Sequence, residues 1–397
     1  MNGIKGYGLL PAAIVLMCIP ELVQAYQLSP NPNPIDSTIE INTNDVAENF
    51  VEFINDGSVR MDEDSTLNNF GVLKNAASFI GCYCDSTLNN YGTLENSGSM
   101  APGYFSHMNN TGTISNLASA TLSTGTLFNQ YGGTLNNNGE MTIFRSLNNA
   151  GSINNSGFNL IFAASLSNTG ILNNSGILDI HHSSFYNAGT LNNSGGITND
   201  AYAVNTGAIT GNGTYGQIYL DSKTINNGTI TQSAVNIYDG SLSGSGTING
   251  NVSIGFYGSL NPGNSIGSSV INGDFSSNGN VDFELGGLGA GQYDVLQING
   301  DATFIGGNLV FDLVNGFQAA DGDSFDFLLA HNVTGLNTLG FTINGLGAGL
   351  AGRLVRENGG LGLLITAVPE PETYSMLVAG LSMIGFMTQR RKIALTA

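Results

Sequence analysis

Leu147-Asn148-Asn149-Ala150-Gly151-Ser152-Ile153-Asn154-Asn155-Ser156-Gly157 places an apolar residue before paired asparagines twice within eleven residues. The first apolar position of this pattern recurs along the chain at intervals of 17 to 21 residues. A period of about twenty residues predicts stacked supersecondary units rather than one conventional core. The repeats begin at Leu67, Leu88, Met108, Leu127, Leu147, Leu166, Phe185, Val204, Ile225 and Leu242.

Most repeats carry a second apolar residue after a glycine, so each unit reads as strand, tight turn and strand. Equivalent apolar residues would stack about 4.8 Å apart along the inside of a tube. The sequence therefore predicts an all-β fold, a right-handed parallel β-helix (solenoid) of about ten coils. A left-handed hexapeptide helix requires six-residue steps throughout each coil, and a solvated low-complexity linker would not keep apolar residues in phase. The second positions are Leu73, Leu94, Ile114, Ile153, Leu172, Leu191, Ile230 and Ile248.

The paired asparagines have two predicted roles. Asparagine tolerates the left-handed backbone region, which would place it where one sheet bends into the next. Stacked asparagines can also bond to their equivalents in neighbouring coils, as in cross-β ladders.

The charge balance restricts the partners. The chain has 29 acidic and 10 basic residues, a net charge of −19, and only 10% of its residues are charged. Phosphate binding needs clustered lysine and arginine, so nucleic acid and anionic lipid surfaces are disfavoured. A hydrophobic content of 41% argues against disorder despite 56 glycines.

The C-terminal segment 368–397 has three parts in order. Val368-Pro369-Glu370-Pro371 precedes the apolar run 374–388, and the basic cluster Arg390-Arg391-Lys392 follows. Residues 373–389 carry no charge, and this length is near the lower limit for crossing a hydrocarbon core of about 30 Å. A basic cluster behind such a transmembrane helix stays cytoplasmic. An ordinary single-pass anchor after a proline-rich spacer is the alternative.

This tail resembles the PEP-CTERM sorting signal. The resemblance implies that an exosortase-type protease processes the Pro-Glu-Pro motif while the helix is held transiently in the inner membrane. Glu372 departs from the small residue common at its position, and residues 393–397 extend past the basic cluster.

The N-terminal residues 1–25 are predicted to be a secretory signal peptide. Lys5 precedes an apolar stretch from Tyr7 to Pro20, and a small residue, Ala25, offers a cleavage point before Tyr26. Cys18 raises the alternative of a lipoprotein, but Met17 before it is bulky for a lipobox.

Three further segments follow from changes in composition and repeat pattern along the chain. Residues 26–59 are predicted to form an N-terminal extension and cap, residues 60–257 the repeats, and residues 258–367 a β-rich region. Leu260 to Phe327 resembles the β-helical passenger region of autotransporter-type adhesins, including Tyr293-Asp294-Val295-Leu296 and Gly322-Asp323-Ser324-Phe325-Asp326. The resemblance implies a C-terminal cap, which the last coil needs to cover its unpaired edge.

Catalytic clusters are weakly indicated. A polysaccharide lyase needs a base and charge neutralisers close together. Arg145 and Lys223 each lie two residues before a repeat start and are therefore predicted to share a column, but they fall four repeats apart, about 19 Å at the strand spacing. Surface solubility is the simpler role for Arg60 and Lys74. The acidic run 62–64 could supply the paired carboxylates of a glycoside hydrolase or could be a solvated surface.

Metal sites are not predicted, nor is a cofactor. His181 and His182 are adjacent, so on a strand they would point to opposite faces and could not share a metal. Cys82 and Cys84 would form a strained bridge and lack further ligands. The run 321–326 lacks the spacing of known calcium loops, and a turn is favoured there.

Two function classes remain. The first is an exported, surface-sorted structural or adhesive protein of a Gram-negative bacterium, whose repetitive face binds extracellular polysaccharide, biofilm matrix or another cell through avidity. The second is a β-helix polysaccharide lyase or glycoside hydrolase, which should interrupt the regular repeat with a long polar loop. Ice binding would require a regular threonine column, and the threonines hold no single phase.

Overall fold

The computed structural model describes residues 25–82, 84–162, 165–357, 359–368 and 371–393. Residues 1–24 of the expected signal peptide lie outside this range, as do Pro369 and Glu370 of the sorting motif. The backbone of the basic cluster at 390–392 is described as helix, whereas its side chains lie outside the description.

The described residues form forty strands and one helix. The first twenty strands are β1 Tyr26–Gln27, β2 Thr38–Ile41, β3 Val46–Asn49, β4 Glu52–Asn55, β5 Ser58–Met61, β6 Thr66–Asn69, β7 Val72–Asn75, β8 Ser78–Gly81, β9 Thr87–Asn90, β10 Thr93–Asn96, β11 Ser99–Asn110, β12 Thr113–Asn116, β13 Thr121–Asn129, β14 Thr134–Asn137, β15 Glu140–Asn149, β16 Ser152–Asn155, β17 Phe158–Phe162, β18 Ser165–Asn168, β19 Ile171–Asn174 and β20 Ile177–His181.

The remaining elements are β21 Ser184–Asn187, β22 Thr190–Asn193, β23 Gly196–Asn199, β24 Tyr202–Asn205, β25 Ala208–Thr210, β26 Thr214–Gln217, β27 Lys223–Asn226, β28 Thr229–Gly244, β29 Thr247–Pro262, β30 Ser268–Ile271, β31 Phe275–Ser277, β32 Asn280–Leu285, β33 Val295–Ile298, β34 Asp301–Phe304, β35 Asn308–Leu313, β36 Ser324–Leu329, β37 Asn332–Thr334, β38 Gly340–Asn344, β39 Leu350–Glu357, β40 Gly360–Ala367 and α1 Pro371–Ile393.

Each coil contributes three strands, one to each of three parallel ladders that we call sheets A, B and C. Sheet A runs through β3, β6 and β9 to β38, sheet B through β4, β7 and β10 to β36, and sheet C through β2, β5 and β8 to β37. The prediction of an all-β parallel solenoid is confirmed, with about 13 turns rather than about ten. The sequence pattern showed only two of the three strands in each coil.

A short strand motif places the core. In β6, Thr66-Leu67-Asn68-Asn69, the second and fourth side chains point inward and are fully buried, while the first and third face outward. This alternation follows from the two-residue period of a strand. Inside the tube, a column of apolar residues therefore runs beside a column of asparagines.

The buried asparagines form two continuous hydrogen-bonded columns. In sheet A, Asn149 accepts a bond from Asn129 Nδ2 at 2.8 Å and donates to Asn168 Oδ1 at 2.8 Å and to the carbonyl of Ile171 at 2.9 Å. The sheet A column comprises Asn49, Asn69, Asn90, Asn110, Asn129, Asn149, Asn168, Asn187, Asn205 and Asn226. The sheet B column comprises Asn33, Asn55, Asn75, Asn96, Asn116, Asn137, Asn155, Asn174 and Asn193 and ends at Gln232.

This geometry confirms the predicted asparagine ladders. It corrects the prediction that these asparagines adopt the left-handed backbone conformation. None of these column asparagines has a positive φ. Each is placed as the last inward residue before a corner, where its side chain satisfies polar groups that the turning backbone leaves unpaired.

A glycine two positions after most column asparagines allows the corners to stack. A Cβ added to Gly170 would lie 2.2 Å from the carbonyl oxygen of Gly151 in the preceding coil. Glycine is required at this position because the corners of successive coils lie directly on one another and leave no space for a Cβ atom. An unusual φ is not the reason.

The pairing corrects two positions of the sequence alignment. Phe185 pairs with Ala203, and Ala203 with Thr224, so Val204 and Ile225 face outward. The buried Asn205 and Asn226 fix this register, and an apolar residue one step away from the inward position misled the alignment.

Parallel pairing does not stop at the predicted domain boundaries. Before residue 60, β1 pairs with β3 and β2 with β5, and after residue 257 the three sheets continue to β38. Beyond β36, the antiparallel strand β40 takes the place of a further coil and pairs with β39 on its other side. This arrangement supplies the predicted β-rich cap, because it covers the open edge of sheet B.

The tail forms helix α1, as the uncharged run predicted. Its apolar side chains, from Met376 to Met387, are exposed. Among the residues that the structure describes, no helix combines the length and the apolarity needed to cross a membrane.

Candidate functional site

The outward face of sheet B carries a third asparagine row, which borders an open groove. Asn154 Nδ2 donates to Asn136 Oδ1 at 2.8 Å, Asn173 to Asn154 at 2.7 Å and Asn192 to Asn173 at 2.7 Å. Thr210 ends the row by donating its hydroxyl to Asn192 Oδ1 at 2.6 Å. We call these four asparagines, with Thr210, the amide row.

The amide row and the next corner enclose the groove, which has a volume of about 480 Å³. The corner contributes Asn138, Ser156, Ser175 and Ser194, and Ser156 donates its hydroxyl to Asn138 Oδ1 at 2.6 Å. None of the described residues that line the groove is charged. The groove therefore repeats the same neutral polar groups once per coil, about every 4.8 Å.

Each amide in the row retains unused bonding capacity. An asparagine side chain has two N–H donors and two acceptor lone pairs, and the row uses about one of each. The row thus offers a donor and an acceptor at every coil. The sequence missed this site because Asn136, Asn154, Asn173 and Asn192 belong to the same Asn-Asn pairs as the buried column.

A second outward feature is a stack of three aromatic rings at the corner between sheets A and B. The ring centroids of Phe50 and Phe70 lie 5.0 Å apart, those of Phe70 and Tyr91 lie 4.8 Å apart, and all three rings are nearly parallel. Their exposed fractions are 58%, 44% and 50%. Sequence reasoning did not single them out, because each follows a column asparagine at a corner position where the residue type varies along the chain.

Arg145 and Lys223, the basic residues considered as candidates for a lyase site, do not lie together. Arg145 lies over the ring of Phe105, 5.2 Å from its centroid. Lys223 begins β27 and shares its sheet A position with Ser146, not with Arg145, so the predicted common column is wrong.

The remaining two basic candidates form local ion pairs. Arg60 pairs with Asp62 at 3.1 Å, and Lys74 with Glu52 at 2.5 Å. The Glu52 partner raises the pKa of Lys74. These contacts hold both cations in local ion pairs at the surface.

The acidic candidates sit in turns. Asp64 has a φ of 55°, and the hydroxyl of Ser65 donates to the carbonyl of Asp62. In the run 321–326, Asp321 accepts the backbone N–H of Ala367 and Asp323 that of Ala320, each at 2.7 Å. Asp321 and Asp323 therefore use their carboxylates to bind backbone near the turn, whereas the carboxylate of Asp62 accepts a bond from the Arg60 side chain.

A buried acid in the C-terminal coils has a strongly shifted pKa. Asp294 accepts the backbone N–H of Gly267 at 2.7 Å and that of Glu284 at 2.8 Å. Burial raises its pKa to about 7, because loss of hydration outweighs these two bonds, which favour the charged form. This carboxyl joins the loop before β30 to strand β32.

The histidine prediction is wrong in its geometry. His181 is the last residue of β20, and His182 has left the strand with a φ of 49°. Their ring centroids lie 4.2 Å apart, and both Nδ1 atoms approach Asp200 Oδ2 of the next coil. The strand argument for opposite faces did not apply, because the strand ends between the two histidines.

Cys82 and Cys84 belong to no such cluster within the described part of the chain. Cys82 and Cys84 form a disulfide with each other.

The sorting tail is supported by comparison with known families. The family model described as the PEP-CTERM protein-sorting motif matches residues 367–392. No curated protein matches the chain. The motif implies that this parallel β-solenoid is exported and surface-sorted, and that exosortase, a membrane protease, processes it.

Proposed function

We propose that this protein is a structural or adhesive component of the bacterial surface that binds neutral extracellular polysaccharide along the groove of the amide row. The amide row carries the proposal, because it presents one donor and one acceptor per coil along an uncharged groove. The coil repeat is close to the length of one pyranose residue, so successive sugars would meet equivalent groups.

The charge distribution favours a neutral glycan. The chain carries a net charge of −19, and the groove supplies no cation to offset an acidic sugar. Anionic polysaccharide would therefore be repelled. Each contact is weak, and many copies on one surface would convert weak contacts into avidity.

A β-helix polysaccharide lyase or glycoside hydrolase is the competing proposal. General acid–base chemistry needs a titratable group within reach of the scissile bond. The described residues that line the groove contain amides, hydroxyls and apolar groups but no carboxylate, imidazole or amine. Binding without turnover is therefore the function we propose.

The test is binding and product formation in the same wells, with neutral and anionic polysaccharides immobilised and the protein displayed on beads. The double variant N154A/N173A removes the centre of the amide row and should abolish bead retention. N89A/N109A is the matched control, because these asparagines form a similar outward row on sheet A.

Three outcomes would contradict the proposal. One is retention unchanged in N154A/N173A. Another is retention lost in F70A instead, which would place the site on the aromatic stack. The third is release of sugar products by the unmodified protein, which would favour the enzyme.

We further propose that export uses a signal peptide cleaved after Ala25 and that the mature protein reaches the envelope surface or matrix of a Gram-negative bacterium. In the structure, Ala25 is exposed and Tyr26 begins the first strand, so cleavage there would leave the solenoid intact. Intact-mass measurement of the exported protein should show Tyr26 as the first residue and processing at Pro369-Glu370-Pro371. A product that retains residues 374–397 would contradict the sorting proposal.

A further inference from the structure

A compact group of possible metal ligands lies at the C-terminal end of β20, a strand of sheet C. Ile180 pairs with Asn199, which places His181 and Asp200 at equivalent positions of successive coils. His182 follows with its left-handed backbone and returns its ring to the same carboxylate. The Nδ1 atom of His182 lies 3.4 Å from Asp200 Oδ2, and the Nδ1 atom of His181 also contacts this oxygen.

The carboxylate of Asp200 is buried and incompletely bonded. Its side chain is 2% exposed, and Oδ1 accepts the backbone N–H of His182. Oδ2 is inaccessible to solvent, and apart from its ion-pair contacts with the two imidazoles it has no hydrogen-bond partner among the described residues. A buried carboxylate oxygen requires a compensating partner, and this one points toward two imidazoles.

We propose that His181, His182 and Asp200 bind one divalent transition-metal ion, with Zn²⁺ as the best match. Ligand atoms from all three residues lie within 4.8 Å of one another. In a tetrahedral zinc site with bonds of about 2.0–2.1 Å, neighbouring ligand atoms are about 3.4 Å apart. The separation of His182 Nδ1 from Asp200 Oδ2 has this value, whereas His181 Nδ1 lies closer to the same oxygen, as an ion pair, and would have to move apart from it when the metal binds.

The ligand types select the class of metal. Imidazole nitrogen suits zinc, copper and nickel, whereas calcium and magnesium prefer oxygen ligands. Aromatic rings border the cluster: the centroids of Phe162 and Tyr219 each lie 5.7 Å from that of His181. His182 is 65% exposed, so the fourth coordination position faces solvent.

The backbone of His182 supports the assignment. A positive φ is uncommon for a residue other than glycine and is found at ligand sites more often than elsewhere. Here it brings together two adjacent histidines that a continued strand would separate.

The chain contains a matched control. His331 Nδ1 lies 2.9 Å from Asp301 Oδ1 on the solenoid surface, with both side chains exposed. This pair has one histidine and one aspartate but no second histidine. H331A therefore removes an exposed imidazole beside a carboxylate without altering the proposed site.

The experiment is calorimetric titration of the untagged, chelator-treated full-length chain with Zn²⁺, together with the visible absorption of the Co²⁺ form. We expect one ion per chain and a tetrahedral Co²⁺ spectrum. H182A should weaken binding at least tenfold and abolish that spectrum, while H331A should change affinity less than twofold. Because His182 is exposed, H182A should keep the thermal midpoint of the metal-free chain, which separates loss of a ligand from loss of folding.

Two results would overturn the proposal. One is the absence of saturable binding at one ion per chain. The other is affinity in H182A within twofold of that of the unmodified protein, which would place any bound metal elsewhere. Should H182A lower the thermal midpoint, D200N provides the second test, and unchanged metal affinity in D200N would equally overturn the assignment.

Discussion

The coils from Asn49 to Asn226 and those from Phe275 to Phe327 fill the same tube with different side chains. In the first region, buried asparagines run beside aliphatic residues and each amide bonds to the next coil. In the second, phenylalanines pack with aliphatic residues in the interior, and the buried polar residues from 269 onward among those described are Ser269, Ser277 and Asp294. The buried rings belong to Phe275, Phe283, Phe304, Phe311, Phe325 and Phe327.

The number of residues per coil also differs between the two regions. In the asparagine region, successive inward positions of sheet A are 18 to 21 residues apart, as the pairs Phe185 with Ala203 and Ala203 with Thr224 show. In the phenylalanine region, Val281 pairs with Leu309 and Leu309 with Phe341, which are 28 and 32 residues apart. A column of amides needs a partner at the same place in every coil, whereas apolar packing is non-directional and tolerates longer loops.

The largest effect should come from a charge placed in the aliphatic column. L147D would put an unpaired carboxylate in a fully buried position and should destabilise the protein by about 5 kcal/mol or more. N148D, on the outward side of the same strand, should change stability by less than about 1 kcal/mol. Denaturant unfolding measures both, and similar losses would contradict the assigned strand register.

Truncation of the phenylalanine core should follow in size. Phe311 packs against Phe283 and Phe327, with ring centroids 5.6 Å and 4.8 Å away. F311A should cost about 3–5 kcal/mol, because it removes a buried ring and leaves a cavity. F256A, at a ring that is 68% exposed, is the control. Hydrogen exchange should show faster exchange in the C-terminal coils of F311A alone.

Removal of one amide from the middle of a column should cost about 2–3 kcal/mol. N149A leaves Asn168 Oδ1 and the carbonyl of Ile171 without their donor, and Asn129 Nδ2 without its acceptor. N226A, at the end of the column, removes one bond from Asn205 and one to the carbonyl of Thr247 and should cost less. Chemical denaturation compares the two, and a larger loss in N226A would argue against a cooperative column.

Two adjacent glycines test the stacking of corners. In G195A the new Cβ would lie 2.0 Å from the carbonyl oxygen of Gly176, whereas at Gly196 a Cβ meets nothing within 4 Å. G195A should destabilise by about 1–3 kcal/mol, and G196A should be neutral or stabilise by up to about 1 kcal/mol. The thermal midpoint of G195A should therefore fall, whereas that of G196A should stay the same or rise. Equal shifts would contradict the close approach of the Gly195 corner to the carbonyl oxygen of Gly176.

The smallest expected effect is an increase in stability. Asn159 is fully buried in sheet C between Met141 and Leu178, and neither its Nδ2 nor its Oδ1 has a partner within the described residues. N159L should stabilise by about 1 kcal/mol, because an apolar side chain replaces an unsatisfied amide. A loss of stability in urea unfolding would mean that this asparagine is satisfied in solution, as the column asparagines are.

Most of the strand pattern of sheets A and B could be predicted, because an apolar residue, an outward residue and an inward asparagine recur before each corner. Sheet C could not be found in this way. Its inward positions hold Met100, Leu122 and Asn159 in different coils and lack a constant amide marker. The error at Val204 and Ile225 has a related cause, since hydrophobicity was followed where the buried asparagine defines the register.

The amide row and the histidine cluster were both beyond sequence reasoning. Asn154 and Asn173 look the same in sequence as the buried Asn155 and Asn174, and only the strand geometry shows which member of each pair faces the groove. His181 and His182 meet Asp200 because the backbone turns at one residue and the next coil stacks on it.

The sequence by itself determined the stacked fold and the sorting tail. A twenty-residue repeat that cannot bury its apolar residues alone requires stacking, and the motif at 367–392 is contiguous and readable without a structure. Only the tertiary structure decided the groove, the aromatic stack and the His181–His182–Asp200 cluster. These sites combine residues about twenty positions apart, and their contacts depend on coil register and corner geometry, which local sequence preferences do not specify.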